Sequence, residues 1–256
     1  MITKPCPLKD FLDEKFLFYN NPEFIPPDPI CIPHSFTVKE DIEIAGFLAA
    51  TLAWGQRITI INKGRELMNQ MGNTPFDFVK NASEKEMAVL STFVHRTFQG
   101  DDTIYFMNAL KMIYNQYGGL EEVFTSGYTL NQSIKESISH FRKIFFSLDH
   151  LPRTRKHLPD PMAGSAAKRI NMYLRWMVRK DEKGVDFGLW NRIKMSDLLC
   201  PLDLHSGKVA RQLGLLKRKQ DDWLAVEELT ANLRNFDAAD PVKYDFALFG
   251  SGVNPI

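Results

Sequence analysis

The chain has 256 residues, 44% hydrophobic and 12% aromatic with nineteen phenylalanines, enough to bury one sizeable core or two lobes and too apolar for extensive disorder. Its net charge is +1, and no apolar run approaches the roughly 18 residues of a membrane span or follows a basic leader, so a soluble, cytoplasmic, membrane-free protein is expected. Three cysteines, Cys6, Cys31 and Cys200, are too few and too scattered for a disulfide framework, a four-cysteine zinc site or an iron–sulfur cluster.

In chain order, Asn21–Pro29 holds four prolines, which exclude regular helix, and residues 1–38 are expected to wrap over the surface. The first helix is predicted over Lys39–Trp54, opened by Thr37 with Asp41 and Glu43 in its first turns. Ile58–Met71 makes a second helix, closed by Gly72. Asp101 and Asp102 precede a stripe of Ile104, Met107, Leu110, Tyr114 and Tyr117, which Gly118 terminates. Leu130–Leu148 continues the pattern, and 39–150 is read as mainly one helical lobe. After the turn Leu158–Pro161, helices are predicted near 165–180, 205–213, 221–234 and 241–250. Trp223, Val226, Leu229 and Leu233 form the buried stripe of the third of these. Gly250-Ser-Gly252 reads as a C-terminal turn, and Cys31-Ile-Pro-His34 lacks the second ligand pair that zinc needs, so no metal is expected. Nothing alternates as strands do, and the chain reads as all-α.

Charge is unevenly spread. Between Leu151 and Gln220 there are sixteen Lys/Arg and six Asp/Glu, a local +10, which leaves 16 basic and 25 acidic residues elsewhere. Either a polyanion or solvent can answer such a face. The chemistry-bearing motifs lie in the same stretch. Asp203, in Cys200-Pro-Leu-Asp-Leu-His205, stands where an extended apolar segment turns into a helix, so its carboxylate can cap that helix and still face a ligand. His205, Lys208 and Arg211 follow at helical spacing. Gly164-Ser-Ala-Ala-Lys168-Arg169 opens another helix with an amine near its start, 35 positions before Asp203. The connection is long enough for Lys168 and Asp203 to meet.

Gly164-Ser-Ala-Ala-Lys168 resembles the hairpin and first helical turn of the helix-hairpin-helix DNA glycosylases, whose pattern is Gly, apolar, Gly, any, Lys. Pro201-Leu-Asp203-Leu-His205 with Lys208-Val209 is similar to their second motif, Pro-Val-Asp-x-His followed by a basic residue and Val. The resemblance, to endonuclease III and the 8-oxoguanine glycosylases and within a bacterial branch, covers mainly 160–215. A weaker echo over 40–72 places Trp54-Gly-Gln-Arg57 at a DNA-facing helix junction. The chain departs from the pattern at Ala166, where the second hairpin glycine is expected, in the longer Lys-to-Asp spacing, and in lacking the cysteine quartet of endonuclease III.

The resemblance implies a two-lobed fold with its active site in the cleft between lobes, and a monomer that repairs DNA at the nucleoid without a cofactor. Its partner would be double-stranded DNA carrying a damaged base or an abasic site. Lys168 would be the nucleophile that forms a Schiff base at the sugar, acting as a free amine, the form that partial burial near a positive helix end favours. Asp203 would stabilise the oxocarbenium-like sugar. Gly164, Ser165 and Ala166 would offer backbone donors to phosphate, with charge from Arg169, His205 and Lys208. Gln56 and Arg57 would fill the gap left by an extruded base, and Trp54 would line the base pocket or belong to the core. Two other readings stay open: a non-catalytic nucleic-acid-binding module, and a helical enzyme acting on a small nucleoside-like substrate.

Overall fold

The computed structural model describes residues 6–253, and the first five and last three residues, which belong to the expected N-terminal wrap and the C-terminal end, lie outside them. Among the described residues there are helices and 3-10 turns but no strands, with two isolated bridges, His95 with Phe98 and Ser165 with Asp222. The protein is all-α. In chain order the helices are α1 Pro7–Tyr19, α2 Lys39–Leu52, α3 Arg57–Gln70, α4 Pro75–Asn81, α5 Glu84–Val89, α6 Gly100–Gln116, α7 Leu120–Thr129, α8 Ile134–Phe145, α9 Lys168–Val178, α10 Leu204–Gln212, α11 Trp223–Arg234 and α12 Tyr244–Val253.

They fall into two compact units. One is formed by Ile25–Asp160, the other by Met1–Phe24 with Pro161–Ile256. The boundaries expected at 38 and 150 thus differ from the observed ones. The N-terminal segment is not all wrap, because α1 precedes the prolines and packs on α12. The 21–29 stretch itself is free of α-helix, as its prolines require, and forms short 3-10 turns.

The Ile25–Asp160 unit is built on phenylalanine. Phe47 of α2 stacks on Phe106 of α6 at 5.8 Å and meets Phe141 of α8 edge-on at 5.5 Å, while Phe124 of α7 stacks on Phe141 at 4.3 Å. The expected Leu130–Leu148 helix is shorter, because Ser133 caps α8 by accepting from the Glu136 amide, and α7 precedes it as a separate helix. Along α6 the buried face runs through Phe106, Met107, Leu110 and Ile113, whereas Tyr117, placed in the predicted stripe, is exposed. Thr37 does not cap that helix, whereas Asp41 does lie in its first turn. Val38 is its N-cap, Asp41 accepts from the Phe76 amide at 2.8 Å, and buried Glu43 accepts from the Tyr114 hydroxyl at 2.7 Å.

The other unit has a different interior. Trp223, Val226, Leu229 and Leu233 of α11 are all buried, as their spacing predicts. Buried α9, however, carries Arg175 inward among Tyr173, Leu174, Trp176 and Met177, and its C-cap residue Arg179 is buried as well. Gly250-Ser-Gly252 is the last turn of α12 and not a C-terminal turn. A Cβ on Gly250 would lie 2.3 Å from the Tyr19 ring and one on Gly252 would lie 3.0 Å from the His205 carbonyl oxygen. These glycines let α12 approach α1 and α10 closely.

Candidate active site

Asp203 is the N-cap of α10 in extended conformation. Its Oδ1 accepts from the His205 and Ser206 amides at 2.9 and 3.0 Å, and the Ser206 hydroxyl accepts from the Asp203 amide at 3.0 Å, a reciprocal capping box. The other oxygen, Oδ2, lies 3.4 Å from Nζ of Lys168, the first residue of α9. One carboxylate therefore caps a helix with one oxygen and faces an amine with the other. Both side chains are about one-quarter exposed. Burial alone would raise the Asp203 carboxyl, but the Lys168 ammonium and the two amides outweigh it and hold it below its ordinary value. The group is ionised at neutral pH.

Sequence reasoning missed what surrounds this pair. Phe249 of α12 presents its ring to Lys168, with Nζ 5.9 Å from the centroid. Arg175, seven residues along α9, ion-pairs with buried Asp245 of α12 and, at 3.2 Å, with Asp186. Arg179 continues the chain to Asp186 at 3.0 Å, Asp240 at 2.9 Å and Asp181 at 2.8 Å. Burial pushes the Asp245 carboxyl up to about 6 against the opposing pull of Arg175 and Lys168. Cys200 is fully buried, and burial raises its thiol well above the ordinary value, so it is an inert structural thiol. Only the helical spacings, 168 with 175 and 245 with 249, could have hinted that these residues share faces.

The hairpin is built differently from its expected form. The Gly164 amide donates to the Pro161 carbonyl at 3.1 Å, so it is committed to a turn and is not the phosphate donor it was expected to be. The Gly164 carbonyl accepts from the Trp223 amide at 2.9 Å, and Gly164 sits at φ +88°. Ala166 is not at positive φ and is buried, so alanine fits where the second glycine was expected. The left-handed residue is Ala167 at φ +45°, whose amide donates to the Ser165 hydroxyl at 3.2 Å. α9 accordingly begins at Lys168, three residues later than predicted.

The other basic residues of the segment divide. His205 and Lys208 are exposed on α10. Arg169 is half-buried, and burial lowers its guanidinium to about 10, so it is not the open surface cation expected. Arg211 donates to the Arg218 and Lys219 carbonyls and pairs with Asp221 at 2.6 Å, closing a loop of its own unit. With Arg175 and Arg179 buried, the local +10 overstates the surface charge.

Trp54, Gln56 and Arg57 lie in the Ile25–Asp160 unit. Gln56 is the exposed N-cap of α3 and Arg57 its first residue. Trp54 is half-buried, with the Arg96 guanidinium 4.5 Å from its ring centroid and His95 edge-on at 6.3 Å. Arg96 sits at φ +57° in the turn closed by the His95–Phe98 bridge, and was not singled out in the sequence.

No group of three or more His, Cys, Asp or Glu side chains is arranged to hold a metal among the described residues, and no helix among them is long and apolar enough to cross a membrane. Comparison with curated proteins and with solved structures returns no match. A family model described as "Protein of unknown function (DUF2400)" matches residues 28–254, nearly the whole chain, and the chain therefore belongs to the DUF2400 family.

Proposed function

We propose that this protein is a DNA glycosylase with associated abasic-site lyase activity, of helix-hairpin-helix type, acting on duplex DNA that carries a damaged base. The observation that carries the reading is the 3.4 Å approach of Lys168 Nζ to Asp203 Oδ2 at the N-termini of two helices, both groups partly open to solvent. A deprotonated Nζ attacks C1′ of the deoxyribose. The C1′–N bond breaks, and the base leaves with the electron pair and takes up a proton. Opening of the C1′–O4′ bond with loss of the amine proton gives the imine, and removal of a C2′ proton then expels the 3′-phosphate. Asp203 supplies the fixed negative charge that the cationic sugar needs in the transition state. Exposed His205 and Lys208 offer charge to the flanking phosphates.

A second reading rests on the same cap. Because Asp203 Oδ1 is fully used in holding α10, the motif also suits a nucleic-acid-binding module without turnover. Borohydride trapping separates the two. Wild-type protein, with a duplex containing an abasic site and with a panel of single-lesion duplexes headed by oxidised guanine, should give an adduct that maps to Lys168. Lys168→Gln should abolish the adduct while leaving duplex affinity nearly intact. Duplex binding with no adduct on any substrate would favour the binding module, and neither binding nor adduct would sink both readings.

A further inference from the structure

Of the three arginines between Phe141 and His157, two are answered by carboxylates and one is not. Arg142 of α8 pairs with Asp160 at 3.0 Å, and Arg153 pairs with Asp102 at 2.7 Å. Arg155, exposed in the 3-10 turn Pro152–His157, pairs with no carboxylate among the described residues, and its Nε–H donates instead to Nε2 of His150 at 2.8 Å. His150 can accept there because its Nδ1 lies 2.7 Å from the Leu148 carbonyl oxygen and so carries the ring proton. A neutral ring thus aims the guanidinium without neutralising it, and leaves its terminal N–H groups for an outside acceptor.

The mount is held on every side. His150 packs on Phe146 and Tyr105 with ring centroids 5.0 and 5.3 Å apart, while Arg153 and Thr154, next to Arg155 in the chain, are both tied to buried Asp102 at 2.7 Å. The guanidiniums of Arg142 and Arg155 lie 5.5 and 5.9 Å from the centroid of the same Phe146 ring. Burial lowers the Arg142 guanidinium from its ordinary value, and Arg155 adds to that effect against the pull of Asp160. Two cations are held together with a single carboxylate to answer them. An anion that met Arg155 would relieve their repulsion and would immobilise little that is not already fixed.

We propose that Arg155, aimed by His150 and flanked by exposed Lys156, is a second nucleic-acid contact, which binds a backbone phosphate of duplex DNA from the Ile25–Asp160 unit. It rests on the reading that the protein meets DNA, and not on catalysis by Lys168. The chemistry selects phosphate over base: Tyr105 and Phe146 are buried, so the site offers charge and N–H donors but no open ring face for stacking.

Binding of a fluorescent undamaged duplex is measured against salt for wild type, Arg155→Gln, Arg155→Lys and Lys80→Gln, with thermal melts of each. Arg155→Gln should weaken binding roughly tenfold and reduce the slope of log affinity against log salt by about one. Arg155→Lys keeps the charge but loses the Nε–H and the fork, so it should restore the slope and only part of the affinity. Lys80→Gln removes an exposed cation that lies over Phe76 in the same unit, and should change neither. A merely structural role for Arg155 predicts a lower melting temperature with the wild-type slope, and that result would overturn the proposal, as would equal losses in Arg155→Gln and Lys80→Gln. Should Arg155→Gln not fold, wild type serves. The NMR signal of the Arg155 Nε–H should move when duplex is added, and a static signal would overturn the proposal. A signal that moves with inorganic phosphate at matched ionic strength but not with duplex would mark a site for the free ion, and would overturn the assignment to the backbone. An Arg155-dependent slope without a Lys168 adduct sinks the glycosylase reading alone, an adduct with an Arg155-independent slope sinks this one alone, and a wild type that binds no duplex sinks both.

Discussion

The two units solve the problem of an interior in opposite ways. The Ile25–Asp160 unit fills it with stacked and edge-on phenylalanines, neutral groups whose contribution scales with the area removed from water. The unit that holds Lys168 and Asp203 spends part of its interior on Arg175, Arg179, Asp186, Asp240 and Asp245. Such a network is weak as a source of stability, since desolvation opposes attraction, but it fails badly when one partner is removed. It also makes the neighbourhood of Lys168 sensitive to pH in a way that a phenylalanine core cannot be. The candidate site lies where the interior is charged.

The largest effects should break this contrast directly. Arg179→Ala takes the guanidinium partner from Asp240 and leaves Asp186 with Arg175 alone, and should cost about 3–5 kcal/mol at neutral pH. Phe141→Ala should cost a similar amount, about 3–5 kcal/mol, through a cavity beside Phe47 and Phe124. The two are told apart by acid. Chemical denaturation at pH 5 should recover part of the Arg179→Ala loss, because protonated carboxyls no longer need a partner, and none of the Phe141→Ala loss. Equal behaviour would mean that the buried ions are energetically silent.

Next in size is Asp203→Asn. Asn keeps an oxygen for the α10 cap, and the pair with Lys168 is too exposed to be worth more than about 1 kcal/mol, so thermal stability should hardly move. Base release in single-turnover assays should nevertheless slow by roughly 10²–10³-fold, because the lost charge matters chiefly in the transition state. A variant as fast as wild type would reduce Asp203 to a cap.

A smaller effect concerns pH. The folded-state pKa of Asp245 is raised to about 6, so the native state holds this proton more tightly than the unfolded chain. Its contribution is fully present below the ordinary carboxylate range and is lost as pH rises through about 6, at most about 3 kcal/mol. Asp203, whose pKa is lowered, acts in the opposite sense and loses its contribution as the solution becomes more acidic. Denaturation of wild type and Asp245→Asn across pH 4–7 should therefore diverge, with the slope from Asp245 missing in the variant. Parallel curves would contradict the raised value. The smallest effect is Ala167→Gly, which relieves a left-handed alanine ahead of α9 and should raise stability by about 0.5–1 kcal/mol in a thermal melt.

Much of the helical content was legible because periodicity and caps are local. The ranges of α2, α3 and α11 and the stop at Gly118, φ +80°, follow from residues a few positions apart. α1 was hidden for the converse reason. Leu12 is its one buried residue, and it gains its place by packing on α12, more than two hundred residues away. The glycines of Gly250-Ser-Gly252 misread as a turn for the same cause: their function is close packing, which has no local signature.

At the site, the Asp203 cap was decided by its own sequence, since the side chain bonds amides two and three residues ahead. The hairpin and Asp motifs carried a family resemblance but no distance, and the meeting of Lys168 with Asp203 required the fold. Summed charge was the least reliable guide. A count treats every Lys and Arg as surface, whereas Arg175 and Arg179 are neutralised inside, by aspartates up to 70 positions away. The sequence by itself determined which residues could cap, ionise or turn. Only the tertiary structure decided which of them share a dielectric, because Coulomb interaction depends on separation and burial and not on order along the chain.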